Sequence, residues 1–155
     1  MNDARHSGEQ RAQSCWALAN SYYAAASRLL ESGSGETFMP SHFLMLHALE
    51  LHLKAFLFSK GMSDKRLRAI SHDLLACLRA CHERGLSKHV RLSWREQMQI
   101  VRVNRYYKSK ELEYFAPRAK SFGSVEQLAS AIDRVSKGVF NKITESTFRA
   151  LRQET

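Results

Sequence analysis

Apolar residues crowd positions 42–61, HFLMLHALELHLKAFLFSKG, on nearly every side of a helical wheel. Stepped at about 100° per residue, Leu46, Leu53 and Leu57 share one face, with Met45, Leu49 and Phe56 beside them. Leu44, Ala48, Leu51, Ala55 and Phe58 cover the far side. The run is too long and too rich in Leu, Ala and Met for a strand. A helix that is apolar nearly all round is enclosed by other helices. A single polar stripe interrupts it: His47, Glu50 and Lys54, with Phe43 among them. An isolated buried charge is very costly, so Glu50 and Lys54 are expected to pair.

The same 3.6-residue period recurs along the chain. Residues 9–31 read as a first helix with Cys15, Trp16, Ala19, Tyr22, Tyr23, Ala26, Leu29 and Leu30 on its apolar side. It stops in the flexible SGSGET at 32–37, after which Ser41, following Pro40, is the expected N-cap of the central helix. Gly61 closes that helix, and Ser63 or Asp64 caps a short helix through Arg68. Residues 72–84, HDLLACLRACHER, form the next, with Leu74, Leu75, Leu78 and Cys81 inward and Gly85 at its end. Two capping boxes open the last two helices, Ser93 to Glu96 and Ser124 to Gln127. The first runs to about Lys108, and ELEYFAP at 111–117 follows as an extended or irregular connection. The second carries Val125, Leu128, Ile132, Val135, Val139 and Ile143, with Gly138 marking a kink or a close approach. The expected fold is all-α, a single-domain bundle of five to six helices over residues 1–155, with 1–8 and 150–155 frayed.

Composition narrows the class. The 155 residues carry a net charge of +9, which favours a polyanionic partner, nucleic acid before membrane. Three cysteines, Cys15, Cys77 and Cys81, are too few and too odd in number for a disulfide framework and fit a reducing cytoplasm. The polar start MNDARHSGEQRAQ lacks an apolar signal core, and no run reaches the roughly 20 uninterrupted apolar residues of a spanning helix. His42, His47 and His52 step by five, so each is turned about 140° from the last and they do not converge on one metal ion. No Gly-rich phosphate loop, HExxH or G-x-S-x-G occurs, and no cofactor is implied.

HALELHLKAFLFSKG, a short basic segment, and SHDLLACLRACHERGL together resemble the HEPN-domain family of small helical bundles. The family's ALELxLKAxL helix ending in glycine matches Ala48, Leu49, Glu50, Leu51, Leu53, Lys54, Ala55, Leu57 and Gly61. The family's spacer leucine and arginine match Leu67 and Arg68, its HDLxxLL segment matches His72, Asp73, Leu74 and Leu78, and its closing glycine–leucine pair matches Gly85 and Leu86. Tyr107, Lys108, Lys110, Glu113 and Tyr114 are similar to a following tyrosine-basic segment. The resemblance runs through about residues 10–145 and is most specific over 46–86. It implies a homodimer that binds RNA or a nucleotide-bearing partner. In active members it implies a metal-independent ribonuclease with an arginine and a histidine four to six residues apart on a late helix. It also implies, in some members, pairing with a nucleotidyltransferase as toxin and antitoxin.

The spacing of that catalytic motif occurs here as Arg66 to His72 and as Arg84 to His89, about as often as chance predicts. Neither pair falls on the late helix, which holds Arg95, Arg102 and Arg105 and no histidine. The better candidate is the basic stretch 91–118: Arg91, Arg95, Arg102, Arg105, Lys108, Lys110 and Arg118, interleaved with Trp94, Tyr106, Tyr107, Tyr114 and Phe115. Cations neutralise phosphate and aromatic faces stack on exposed bases. Glu50, Lys54, His72 and Asp73 read instead as a structural polar network that fixes how helices register. The expected function is a cytoplasmic, HEPN-like RNA- or nucleotide-binding module. The alternatives are a toxin–antitoxin ribonuclease and an adaptor for an acidic protein.

Overall fold

A computed structural model describes residues 2–114 and 119–153. Six α-helices follow one another: α1 (Asn2–Glu31), α2 (Phe38–Ser59), α3 (Asp64–Ile70), α4 (Leu74–Glu83), α5 (Trp94–Lys108) and α6 (Val125–Gln153). Single 3-10 turns lie at Gly35–Thr37 and Leu86–Lys88, and no strand occurs among the described residues.

The apolar run at 42–61 is the hub. Met45, Leu46, Leu49, Leu53, Phe56 and Leu57 of α2 are fully buried, and so is Ala48 on the far side. Burying a leucine or phenylalanine side chain is worth roughly 1.5–3 kcal/mol, so this one helix anchors the fold. α1 lies antiparallel to it: Cys15 Sγ reaches Leu51 O at 3.2 Å, and the rings of Tyr22 and His47 meet edge to face at 4.8 Å. α6 runs antiparallel to α1. Trp16 Nε1 donates to Ser136 O at 3.0 Å, and Tyr23 OH to Ala129 O at 3.4 Å, a turn or more back along α6. α4 and α5 form a second antiparallel pair against the other side of α2, where Cys81 Sγ contacts Leu53 O at 3.4 Å.

Several boundaries differ from the sequence expectation, each for a local reason. α1 begins at Asn2 rather than near residue 9, and α6 runs to Gln153. α2 begins at Phe38, before Pro40, and Ser41 is not its cap. Proline is tolerated in a first turn because its missing N–H would have no intrahelical partner there. Ser34 caps the preceding 3-10 turn through Glu36 N, and the Ser41 hydroxyl turns back to Phe38 O at 2.8 Å. α4 starts at Leu74, with Asp73 as its N-cap, which leaves His72 in the corner between α3 and α4. Ser93 and Glu96 form a complete capping box on α5. At α6 only half a box exists. Ser124 Oγ accepts from Gln127 N at 3.1 Å, but Ser124 N bonds Gln99 Oε1 of α5 at 3.2 Å.

Of the expected extended or irregular connection at 111–117, residues 111–114 are irregular, in turns and a bend, and the rest of ELEYFAP, with Phe115, lies outside the described residues, as does Arg118. Gly138 is a close-approach site. A Cβ there would sit 2.4 Å from Val90 Cγ2 and 2.6 Å from His89 O, so the segment after α4 crosses α6 directly over it. No described helix is long and apolar enough to cross a membrane.

Candidate nucleic-acid interface

α5 is fixed to the bundle at both ends by buried carboxylates. Near its N-terminus Glu96 accepts from Ser93 N at 2.6 Å, Ser130 Oγ at 2.5 Å and Arg134 Nε at 2.9 Å, tying α5 to α6. Burial alone would raise this carboxyl; the hydrogen bonds from Ser130 and Ser93, with the Arg134 charge, lower it below the usual range.

At the C-terminal end, Tyr107 donates its hydroxyl to Glu50 Oε2 and is itself 3.0 Å from His47 Nδ1. Lys54 bonds the other oxygen, Oε1, and His72 Nδ1 sits 3.0 Å from Oε2. One carboxylate with 2% side-chain exposure thus joins α2, α5 and the α3–α4 corner. Burial pushes the Glu50 carboxyl up, but hydrogen bonds from His47, Lys54 and Tyr107 outweigh it and bring it down to about 2. By distance His72 is the closer imidazole, since His47 Nδ1 stands 3.8 Å from the same oxygen. The Tyr107 hydroxyl is pushed up, by burial first and then by the adjacent Glu50 charge.

A neighbouring cluster completes the joint. Asp73 Oδ1 accepts from Leu75 N, Ala76 N and Asn104 Nδ2, each at 3.1 Å, and Oδ2 holds Lys108 Nζ at 2.6 Å. Asn104 Oδ1 also accepts from Leu74 N at 2.8 Å. Glu50, Lys54 and His72 therefore meet in one network, and Asp73 serves the adjoining one as a helix cap. The sequence pattern had placed His47 on the same polar stripe as Glu50 and Lys54, but Asn104 and Tyr107 were missed as members. Their signal was available: Asn104, Tyr107 and Lys108 fall at helical spacing on one side of α5.

The opposite side of α5 is an open groove of about 830 Å³, floored by Met98 and Val101 and edged across from the helix by Ser121, Ser124 and Gln127. Arg95, Arg102 and Arg105 all line it, as does Trp94. Trp94 is 70% exposed, with the Arg95 guanidinium 5.9 Å from its ring centre. Arg105 lies over the Tyr106 ring at 4.6 Å. The groove's far wall is held in place because Gln99 Nε2 donates to Phe122 O and Ser121 N donates to the Tyr106 hydroxyl at 2.9 Å.

The structure divides the predicted basic residues. Arg95, Arg102 and Arg105 converge on the groove. Arg91 is exposed but precedes the helix, so it does not continue their stripe. Lys108 faces the other way and neutralises Asp73. Lys110 lies beyond the end of α5, at φ 60. Of the aromatic residues, Tyr106 and Tyr107 are core, whereas Trp94 and Tyr114 are exposed. Nothing in the apolar pattern distinguished these two groups.

No hydrogen bond among the described residues joins the members of either arginine–histidine pair. His72 is engaged by Glu50 while Arg66 stands exposed on α3. Arg84 bonds Ala80 O at 3.0 Å and faces Glu83 at 3.7 Å, and His89 packs against Phe56 with its basicity lowered by burial. The three histidines of α2 go separate ways: His42 to Phe38 O, His47 to Tyr107, and His52 against Trp16. Among the described residues no group of three His, Cys, Asp or Glu side chains gathers as a metal site. Comparison with protein-family models, curated proteins and solved structures finds no match.

Proposed function

We propose that the chain is a HEPN-like helical module that binds RNA, or a nucleotide-bearing partner, through the outer face of α5. The observation that carries this reading is the convergence of Arg95, Arg102 and Arg105 on one open groove. Among the described residues none of the three guanidiniums has an acidic side chain bonded to it, in contrast to Lys108 on Asp73 and Arg134 on Glu96. Unneutralised arginines on a rigid helix are what a phosphate backbone requires. The net charge of +9 adds long-range attraction for the same kind of ligand.

Fluorescence anisotropy with a labelled RNA tests the proposal. Three phosphate contacts give a log–log salt slope of about −2 to −3, so affinity falls about 20- to 40-fold between about 50 and about 200 mM salt. Arg102→Ala or Arg105→Ala weakens binding and flattens that slope by about 0.7–0.9 each. Binding indifferent to salt and to both substitutions refutes the reading.

A further inference from the structure

We infer that the α5 groove selects a single-stranded stretch of nucleic acid, and that Trp94 sets this preference by stacking on an unpaired base. The inference rests on the groove being a nucleic-acid interface. It adds which nucleic acid fits and which residue discriminates.

Trp94 is the most exposed large apolar side chain among the described residues, at 70%. It is the first residue of α5, inside the complete capping box from Ser93 to Glu96, so its backbone is fixed although its indole is open. The Arg95 guanidinium is the one cation recorded beside the ring among the described residues, 5.9 Å from its centre. An indole beside a guanidinium offers a base a flat platform and a cation at once. A paired base keeps its faces inside the helical stack, so only an unpaired base uses that platform.

The spacing fixes the length of the ligand. Arg102 and Arg105 lie eight and eleven residues after Trp94, about 12 and 16 Å along the helix axis. A base stacked on Trp94 therefore leaves phosphates further along the same strand to reach the two arginines. A mononucleotide spans only part of this distance. Met98 and Val101 lie between, 53% and 44% exposed, and give the intervening sugar and base an apolar floor. The opposite wall adds the side chains of Ser121 and Gln127 as hydrogen-bonding groups for base edges.

The test compares an unstructured 12-nucleotide RNA, a hairpin duplex of matched length and composition, and a nucleoside monophosphate on the full chain. The wild-type protein binds the single strand about tenfold or more tightly than the duplex, and the monophosphate far more weakly than either. Trp94→Leu collapses the single-strand to duplex ratio towards one, and Trp94→Phe retains most of it. Arg102→Ala lowers both affinities and keeps the ratio. Only two tryptophans are present, so subtracting the Trp94→Leu signal isolates the Trp94 fluorescence, which the single strand quenches. Equal affinity for both RNAs, or a ratio unmoved in Trp94→Leu, overturns the inference. If binding then still depends on salt and on Arg102, the groove remains a nucleic-acid interface that reads backbone alone. Absence of salt-dependent binding to any of the three ligands overturns the inference and the interface together.

Discussion

Replacing Glu50 with glutamine isolates the joint between α2, α5 and the α3–α4 corner. The change keeps shape and removes charge. It leaves Lys54, at 18% side-chain exposure, without its counter-ion, and gives Tyr107 and His72 a weaker acceptor. Breaking a buried pair by removing one partner costs about 3–5 kcal/mol. The pKa offers an independent route to the size. A fall from 4.5 to about 2, at about 1.4 kcal/mol per pH unit, corresponds to about 3 kcal/mol, with no screening discount for a carboxylate this buried. The sign follows from the depressed pKa: the contribution is complete above the unfolded value of 4.5 and disappears as pH falls through the folded value of about 2. Urea unfolding followed by circular dichroism should therefore show Glu50→Gln less stable by about 3 kcal/mol at neutral pH, with the gap closing progressively below pH 4.5. RNA affinity per folded molecule should match wild type, because the groove lies on the other face of α5. A gap below about 0.5 kcal/mol at neutral pH, or one that does not change with pH, refutes the ion-pair reasoning. A selective loss of RNA affinity with stability intact makes Glu50 part of the binding site.

Other outcomes test other parts of the fold. Among the described residues neither ring nitrogen of the fully buried His52 has a partner, and burial lowers its pKa from 6.5 to about 4. The unfolded chain takes up this proton first, so stability should be lost as pH falls from 6.5 towards 4, by up to about 3 kcal/mol. His52→Leu should remove that share of the acid sensitivity, measured as the change in urea midpoint between pH 7 and pH 5. Gly138→Ala forces a methyl to 2.4 Å from Val90 Cγ2 and 2.6 Å from a backbone carbonyl. It should cost about 1–3 kcal/mol in thermal or urea unfolding, and a neutral result would mean that the crossing segment moves aside freely.

The helical periodicity located every long helix because each buries one face or, for α2, most of its circumference. The polar stripe on α2 was legible for the same reason: a charge at 46–57 has no exit to water except through a partner. What remained hidden depends on tertiary placement. His47 and Tyr107 are 60 positions apart, and no local pattern reports that their side chains meet. The start of α2 was misplaced because Pro40 was read as a boundary when it sits harmlessly in the first turn. Trp94, Met98 and Val101 look like a core stripe in sequence, spaced four and three apart. They are exposed because the inward face of α5 is taken by Ile100, Val103, Tyr106 and Tyr107.

That division of α5 links fold to proposed function. Its inner side carries Glu96, Asn104 and Tyr107, each spent on joining other helices, and its outer side carries Trp94, Arg95, Arg102 and Arg105. A flexible helix would lose entropy on ordering its arginines against a ligand. Here buried carboxylates at Glu96 and Glu50 fix the helix at both ends before any ligand arrives. The anionic groups of the fold neutralise the cations that hold it together, Lys54, Lys108 and Arg134. Among the described residues they leave the groove arginines without an acidic partner, so the same arrangement that gives the bundle its register leaves the groove's arginine charge unneutralised.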